Sequence, residues 1–173
     1  MLVDYRVETG LELNTNMITC EFENGNSTKN LRHVTVEAII EKKGRILLTK
    51  RAKHLVQGGK YCIPGGFLDK GENTKEGILR EVREETGYQA RIIDLFQIVD
   101  EPNRNDQFNQ NVSFVYLVEM IKQLSEPDNE VDELAWFTLD KLPPGRKIAF
   151  DHAKRIKKYA DYRKNKFKLP VFT

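Results

Sequence analysis

Glu81, Glu84 and Glu85 stand at i, i+3 and i+4 in a run that reads as a helix, so their carboxylates share one face. Like charges at these spacings repel by about 0.2–0.5 kcal/mol per pair, and a divalent cation would remove that cost. Carboxylate oxygens are hard donors, which suit Mg²⁺ or Mn²⁺ and leave positions open for water and phosphate. A cation held this way can neutralise phosphate charge and help deprotonate a water, the two needs of hydrolysis at phosphorus. The same run carries Glu76/Arg80 and Arg80/Glu84 at i,i+4. Those pairs also fit a solvated, salt-bridged helix, but they leave the three clustered glutamates unexplained.

The flanking residues supply the elements that must hold this cluster. Asn73 or Thr74 is a suitable N-cap, and Asn73 followed by Glu76 fits a capping box. Gly87 falls where a helix ends in a left-handed cap. Between these signals the spacing predicts a helix of about 13 residues with Ile78, Leu79 and Val82 as its apolar stripe. Upstream, Tyr61, Cys62, Ile63 and Pro64 read as a strand end leading into Gly65-Gly66. Adjacent glycines let the backbone approach a ligand and can offer a carbonyl to a metal.

Gly66, five residues, Glu72, seven residues, then Arg80-Glu81-Val82-Arg83-Glu84-Glu85-Thr86-Gly87-Tyr88 resembles the Nudix signature. Gly66, Glu72, Arg80, Glu81, Glu84, Glu85 and Gly87 fill its seven invariant slots. At roughly 6% per residue type, seven such positions coincide about once in 10⁸ to 10⁹ windows, which excludes chance. Tyr61 and Ile63 stand where members usually carry Trp and Leu, and Tyr88 where an aliphatic residue is usual; none is a ligand position. The resemblance implies an α+β fold, an α/β/α sandwich with a mixed sheet between helices and the signature as a loop-helix-loop. It also implies a pyrophosphohydrolase using Mg²⁺, with Mn²⁺ as the alternative. Glu84 and Glu85 are then metal ligands together with the carbonyl of Gly65, and Glu81 is a third ligand or the base that orients water. Gly66, Glu72, Arg80 and Gly87 are structural, with Arg80 holding the helix glutamates and Glu72 bracing the loop. Glu130 is the first choice for a catalytic glutamate outside the signature and Glu133 the second, against the plain alternative of a solvated acidic loop.

The resemblance implies a nucleoside diphosphate linked to a second group as substrate. Pro102, about 15 residues past the signature, and the run Ile148 to Ala153 resemble the ADP-ribose pyrophosphatase branch. ADP-ribose is therefore the leading substrate. The alternatives are a nucleoside triphosphate, read by Asp132-Glu133, and a regulator that binds ADP-ribose without cleaving it. Arg51 and Arg104 are candidate phosphate ligands, since guanidinium forks match phosphate oxygens. Phe67, Phe108 and Phe114 are candidate stacking residues, with Phe114 equally suited to a core strand. His33, His54 and His152 show no partner spacing and read as structural or surface residues.

The 173 residues suffice for one domain and a small appendage. A net charge of +2 gives no global attraction to nucleic acid, which is not an expected partner. No apolar run approaches the roughly 18 residues that span a membrane, and the first ten residues lack a secretory pattern. Cys20 and Cys62 have no metal-ligand spacing and read as free thiols, as in a cytoplasmic protein. Residues 1–32 read as an N-terminal extension, either a short hairpin or an arm on a second subunit, so a homodimer is one reading. Residues 33–173 read as the Nudix domain. Strands are expected over His33 to Ile40, Arg45 to Arg51, Ala90 to Asp100, Val112 to Met120 and Leu134 to Phe137. A final amphipathic helix is expected over Phe150 to Phe167. Its basic residues, Lys154 to Lys168, fit a solvated face docked on the sheet, or alternatively a patch that attracts polyphosphate or RNA.

Overall fold

The computed structural model describes residues 20, 21, 27, 28, 32–102, 104 and 111–173. The chain divides into two units, Met1–Leu31 and Arg32–Thr173. In the first, β1 (Cys20–Glu21) pairs antiparallel with β2 (Ser27–Thr28). The second runs β3 (Val34–Lys42), β4 (Arg45–Arg51), β5 (Tyr61–Cys62), β6 (Gly65–Phe67), α1 (Thr74–Thr86), β7 (Tyr88–Val99), β8 (Val112–Gln123), β9 (Val131–Thr138), α2 (His152–Lys164) and β10 (Val171–Phe172). A 3₁₀ turn, Gly145–Lys147, precedes α2. Among the described residues no helix is long and apolar enough to cross a membrane.

The sheet is mixed, in the order β10-β7-β8-β3-β4-β5. β3 runs parallel to β8 from Val34 to Ile40 and forks on its other edge. Its first half pairs with β6, placing Thr35, Val36 and Glu37 opposite Phe67, Gly66 and Gly65. Its tip pairs with β4 through a two-residue turn, Lys43-Gly44, with both residues at positive φ (52° and 74°). Such turns match the right-handed strand twist. β9 covers β4 over most of its length.

Period-two alternation along the strands builds two apolar layers. Val36, Ala38, Ile40, Leu47, Tyr116 and Val118 pack on Ile78 and Val82 of α1. Ile39, Ile46, Leu48, Phe96, Val99 and Val115 pack on Ile156 and Tyr159 of α2. This is the α/β/α sandwich expected from the sequence. The details differ at the ends. β7 begins immediately after Gly87, and β8 runs to Gln123, because each completes the other's ladder through irregular register. α2 starts later than expected, since Phe150 adopts a left-handed φ of 52°. After α2 the chain pairs once more: β10 lies parallel to Gln97 and Ile98 of β7.

Candidate active site

The site is assembled on α1, whose ends are both capped. Asn73 Oδ1 accepts from the N–H groups of Lys75 (3.0 Å) and Glu76 (3.1 Å), and the Asn73 N–H donates back to Glu76 Oε2 at 2.9 Å. Gly87 takes the left-handed cap and donates to the Arg83 carbonyl. Ile78 and Val82 are fully buried, so the helix is locked in rotation about its axis and one polar face is turned toward β6.

Arg80 gathers this face. Its Nε and NH2 donate to Glu72 at 3.0 and 2.6 Å, and NH1 donates to Glu81 Oε1 at 2.8 Å and Glu84 Oε2 at 3.0 Å. NH2 also reaches the carbonyl of Phe67 at 3.0 Å. Glu72 in turn accepts from the Asp69 N–H at 2.8 Å, bracing the loop. The Arg80 hydrogen bonds hold the Glu72 carboxyl below its ordinary range.

Glu81 and Glu85 sit deeper. An added Cβ on Gly66 would lie 2.5 Å from Glu81 Oε1, so the carboxylate occupies space only a glycine leaves. Burial pushes the Glu81 carboxyl up, Arg80 opposes this, and Glu84 and Glu130 add to the rise. Glu85 is 4% exposed, and the Gly65 N–H donates to its Oε2 at 3.1 Å. Burial, then the Glu81 charge, raise its carboxyl to about 8, against the pull of the Gly65 N–H and Arg51.

This donor set fits a hard divalent cation, because the Glu81 charge adds to the cost of ionising the buried Glu85 and a cation would relieve it. The glutamates are not yet gathered as ligands: among the described residues no three acidic, His or Cys side chains converge on one point. Arg80 draws Glu81 and the half-exposed Glu84 toward itself, and the Gly65 amide holds Glu85. Arg80 therefore supplies the compensating charge in this arrangement, and a cation would have to draw the carboxylates away from it.

The two glutamates outside the signature separate. Glu130 is exposed, its carbonyl accepts from the Ala52 N–H at 2.8 Å, and its charge reaches Glu81. Glu133 instead pairs across strands with Lys50 (3.3 Å) and accepts from the Tyr61 hydroxyl at 3.3 Å, so its carboxylate is committed away from Glu81. Strand alternation puts Lys50, and Glu133 with it, on the same face of β4 as Leu48.

Arg51 lies beside the cluster. Its Nε donates to the Val56 carbonyl at 2.9 Å and its guanidinium covers the Phe150 ring at 5.1 Å. Phe67 is half exposed, with His33 edge-on at 5.2 Å. Phe114 packs with the α1-side core, and Phe108 lies outside the described residues. Arg104 is the second candidate phosphate ligand. It is buried, and its fork grips Asp151 through Nε (3.2 Å) and NH2 (3.1 Å) while NH1 reaches Ser113 Oγ at 3.0 Å. These bonds engage all three guanidinium nitrogens within the fold.

Asp151 and His152 belong to the same buried network, which the sequence reading missed. Asp151 also accepts from Arg155 NH1 at 2.5 Å, and Arg155 pairs with Glu37. The two arginines hold the Asp151 carboxyl below the ordinary carboxylate range. His152 Nδ1 accepts from the Ile63 N–H at 3.2 Å, two residues before Gly65, and its Nε2 faces Glu37 at 3.9 Å. Burial depresses His152 to about 4, so the ring is neutral and free to accept. The available signal was Glu37, a carboxylate inside an apolar strand run.

A NUDIX domain model matches residues 29–159. An ADP-ribose pyrophosphatase of Methanocaldococcus jannaschii is 36% identical over 126 residues, 73% of this chain and 72% of that protein. An NAD-capped RNA hydrolase, NudC, of Vibrio vulnificus is 30% identical over 106 residues, 61% of this chain but only 38% of that longer protein. The crystal structure of a NUDIX hydrolase from Nitrosomonas europaea superposes with a TM-score of 0.71 at 22% identity, covering 96% of this chain and 97% of that one. The matched residues span β3 to β9, the capped helix and the glycine pair against which Glu81 and Glu85 rest, and the chain belongs to the NUDIX family as a Nudix hydrolase.

Proposed function

We propose that this Nudix hydrolase cleaves the pyrophosphate of ADP-ribose, releasing AMP and ribose 5-phosphate. The observation that carries the chemistry is the buried Glu85 and partly buried Glu81 against Gly65-Gly66, whose repulsion a divalent cation would relieve. Support for the substrate comes from the Methanocaldococcus jannaschii relative, named an ADP-ribose pyrophosphatase and matched over nearly three quarters of both chains.

Glu81, Glu84 and Glu85, with the Gly65 backbone beside them, would hold Mg²⁺ or Mn²⁺. The cation supplies neutralisation of the pyrophosphate and acidifies water. Glu130 takes the proton from the attacking water as its oxygen bonds to one phosphorus and the bridging P–O bond breaks. Arg51, steadied by Phe150 and Val56, faces phosphate oxygens, and Phe67 offers its open ring to the base. Arg80 donates to Glu81 and Glu84, which keeps the helix face from repelling itself.

Product analysis with Mg²⁺ on ADP-ribose, NADH, diadenosine polyphosphates and nucleoside triphosphates, beside Glu84→Gln, tests this reading. AMP formed from ADP-ribose with the highest kcat/KM, and loss of turnover in the variant, is the expected result. Higher kcat/KM on triphosphates or dinucleotides overturns the substrate, and an active Glu84→Gln overturns the ligand assignment.

A further inference from the structure

A cavity of about 220 Å³ lies at the far tip of the β3–β4 hairpin, lined by Lys42, Lys43, Arg45, Tyr88, Met120 and Trp136. Arg45 and Arg51, the latter beside the signature glutamates, are the two ends of β4, six residue steps or roughly 20 Å of strand apart. The two sites do not overlap.

Three cations converge here at a cost that the fold does not offset. Lys42 stands directly opposite Arg45 in the antiparallel register, an arrangement that destabilises a strand pair. Lys43, between them, takes a left-handed φ of 52°, which lysine adopts poorly and asparagine or glycine would adopt easily. No carboxylate lines the cavity, and among the described residues none of the three has an ion-pair partner. The nearby acids are committed elsewhere. Glu41 turns to the opposite face, where Arg163 holds it at 2.7 Å, and Glu119 is taken by Arg91.

The rest of the lining is apolar and planar. Trp136 and Tyr88 present aromatic surface beside the cations, with Met120 between strands. Cations with an aromatic surface suit a ligand that joins a phosphate to a flat ring. The volume is below the roughly 300–1,000 Å³ of pockets that enclose a whole small ligand, so one phosphate and the edge of one base fit, with the remainder in solvent. We propose that this cavity is a second binding site for a nucleoside monophosphate, with the phosphate on Lys42, Lys43 and Arg45 and the base against Trp136.

Trp136 is the only tryptophan in the protein, so its fluorescence reports on this cavity. The experiment titrates the full-length, metal-free protein with AMP, and separately with inorganic phosphate and with adenosine. Saturable quenching by AMP with a Kd below about 1 mM is expected, with phosphate and adenosine each weaker by about tenfold or more. The double variant Lys42→Ala/Arg45→Ala, both exposed positions, should weaken AMP by at least about tenfold with an unchanged emission maximum. Glu84→Gln should bind AMP as the parent does. Absence of a saturable signal, a signal that survives in the double variant, or one lost in Glu84→Gln overturns the proposal.

Discussion

Replacing Gly66 by alanine moves the Glu81 carboxylate without removing it. The added Cβ would lie 2.5, 2.7 and 2.8 Å from the three carboxyl atoms of Glu81. The backbone at Gly66 is not left-handed, so alanine is tolerated and the flexible end of Glu81 is what must yield. In yielding it loses the 2.8 Å bond from Arg80, a charged hydrogen bond worth about 1.5–3 kcal/mol. A carboxyl that burial has pushed up regains water on leaving, so the net loss of stability is on the order of 1 kcal/mol. In a chain of this length that lowers Tm by about 2–4 °C. Activity should fall much further, by about 10²-fold in kcat/KM, the cost of misplacing a group proposed to hold the cation. Gly65→Ala is the contrasting case. Its Cβ meets the backbone of β3, 2.1 Å from the Val36 carbonyl, so a strand must shift and the fold is lost with the activity. The assays are initial rates with Mg²⁺ and thermal melting on the same samples. A Gly66→Ala enzyme within about threefold of the parent kcat/KM would refute the role given to Glu81.

Three further outcomes follow from the buried groups. Glu85 has a folded-state carboxyl raised to about 8, so its contribution is fully present below the unfolded value near 4.5 and is lost as pH rises through 8. The metal-free protein should therefore melt lower at pH 8.5 than at pH 7, and Mg²⁺ should raise Tm more at the higher pH; a flat metal-free profile by scanning fluorimetry would contradict this. His152→Ala leaves the Ile63 N–H unsatisfied at about 1–3 kcal/mol, whereas Asn restores an acceptor, so denaturant midpoints should rank parent, Asn, Ala. Asn73→Ala removes both amide partners of the cap and should cost about 1 kcal/mol in chemical denaturation with kcat little changed.

The helix and its carboxylates were legible because their signals are local. Asn73, Glu76 and Gly87 state where α1 begins and ends, and three-residue spacing states which glutamates share a face. The buried network was not, because Arg104 and Asp151 are 47 positions apart and only the sheet brings them together. Arg104 therefore read as a loop cation available to phosphate. The pairing of Glu133 with Lys50 was hidden for a related reason: its face depends on the β4 register and on the irregularity at Lys50/Arg51, which no sequence spacing discloses. β10 is two residues long and is defined by the edge of β7 that receives it.

Glu37 faces two directions at once. Its backbone stands opposite Gly65 in the β3–β6 ladder, while its side chain projects from the α2 face to Arg155 and His152. His152 then returns to Ile63. The path from Ile63 along the chain to Gly65, across to Glu37, down to His152 and back closes a loop around two layers of the sandwich. The signature is consequently not a portable cassette. Grafting residues 61–87 onto a foreign scaffold would transplant the carboxylates without their floor, and a working transplant would have to carry the first turn of α2 and one carboxylate of β3 with it.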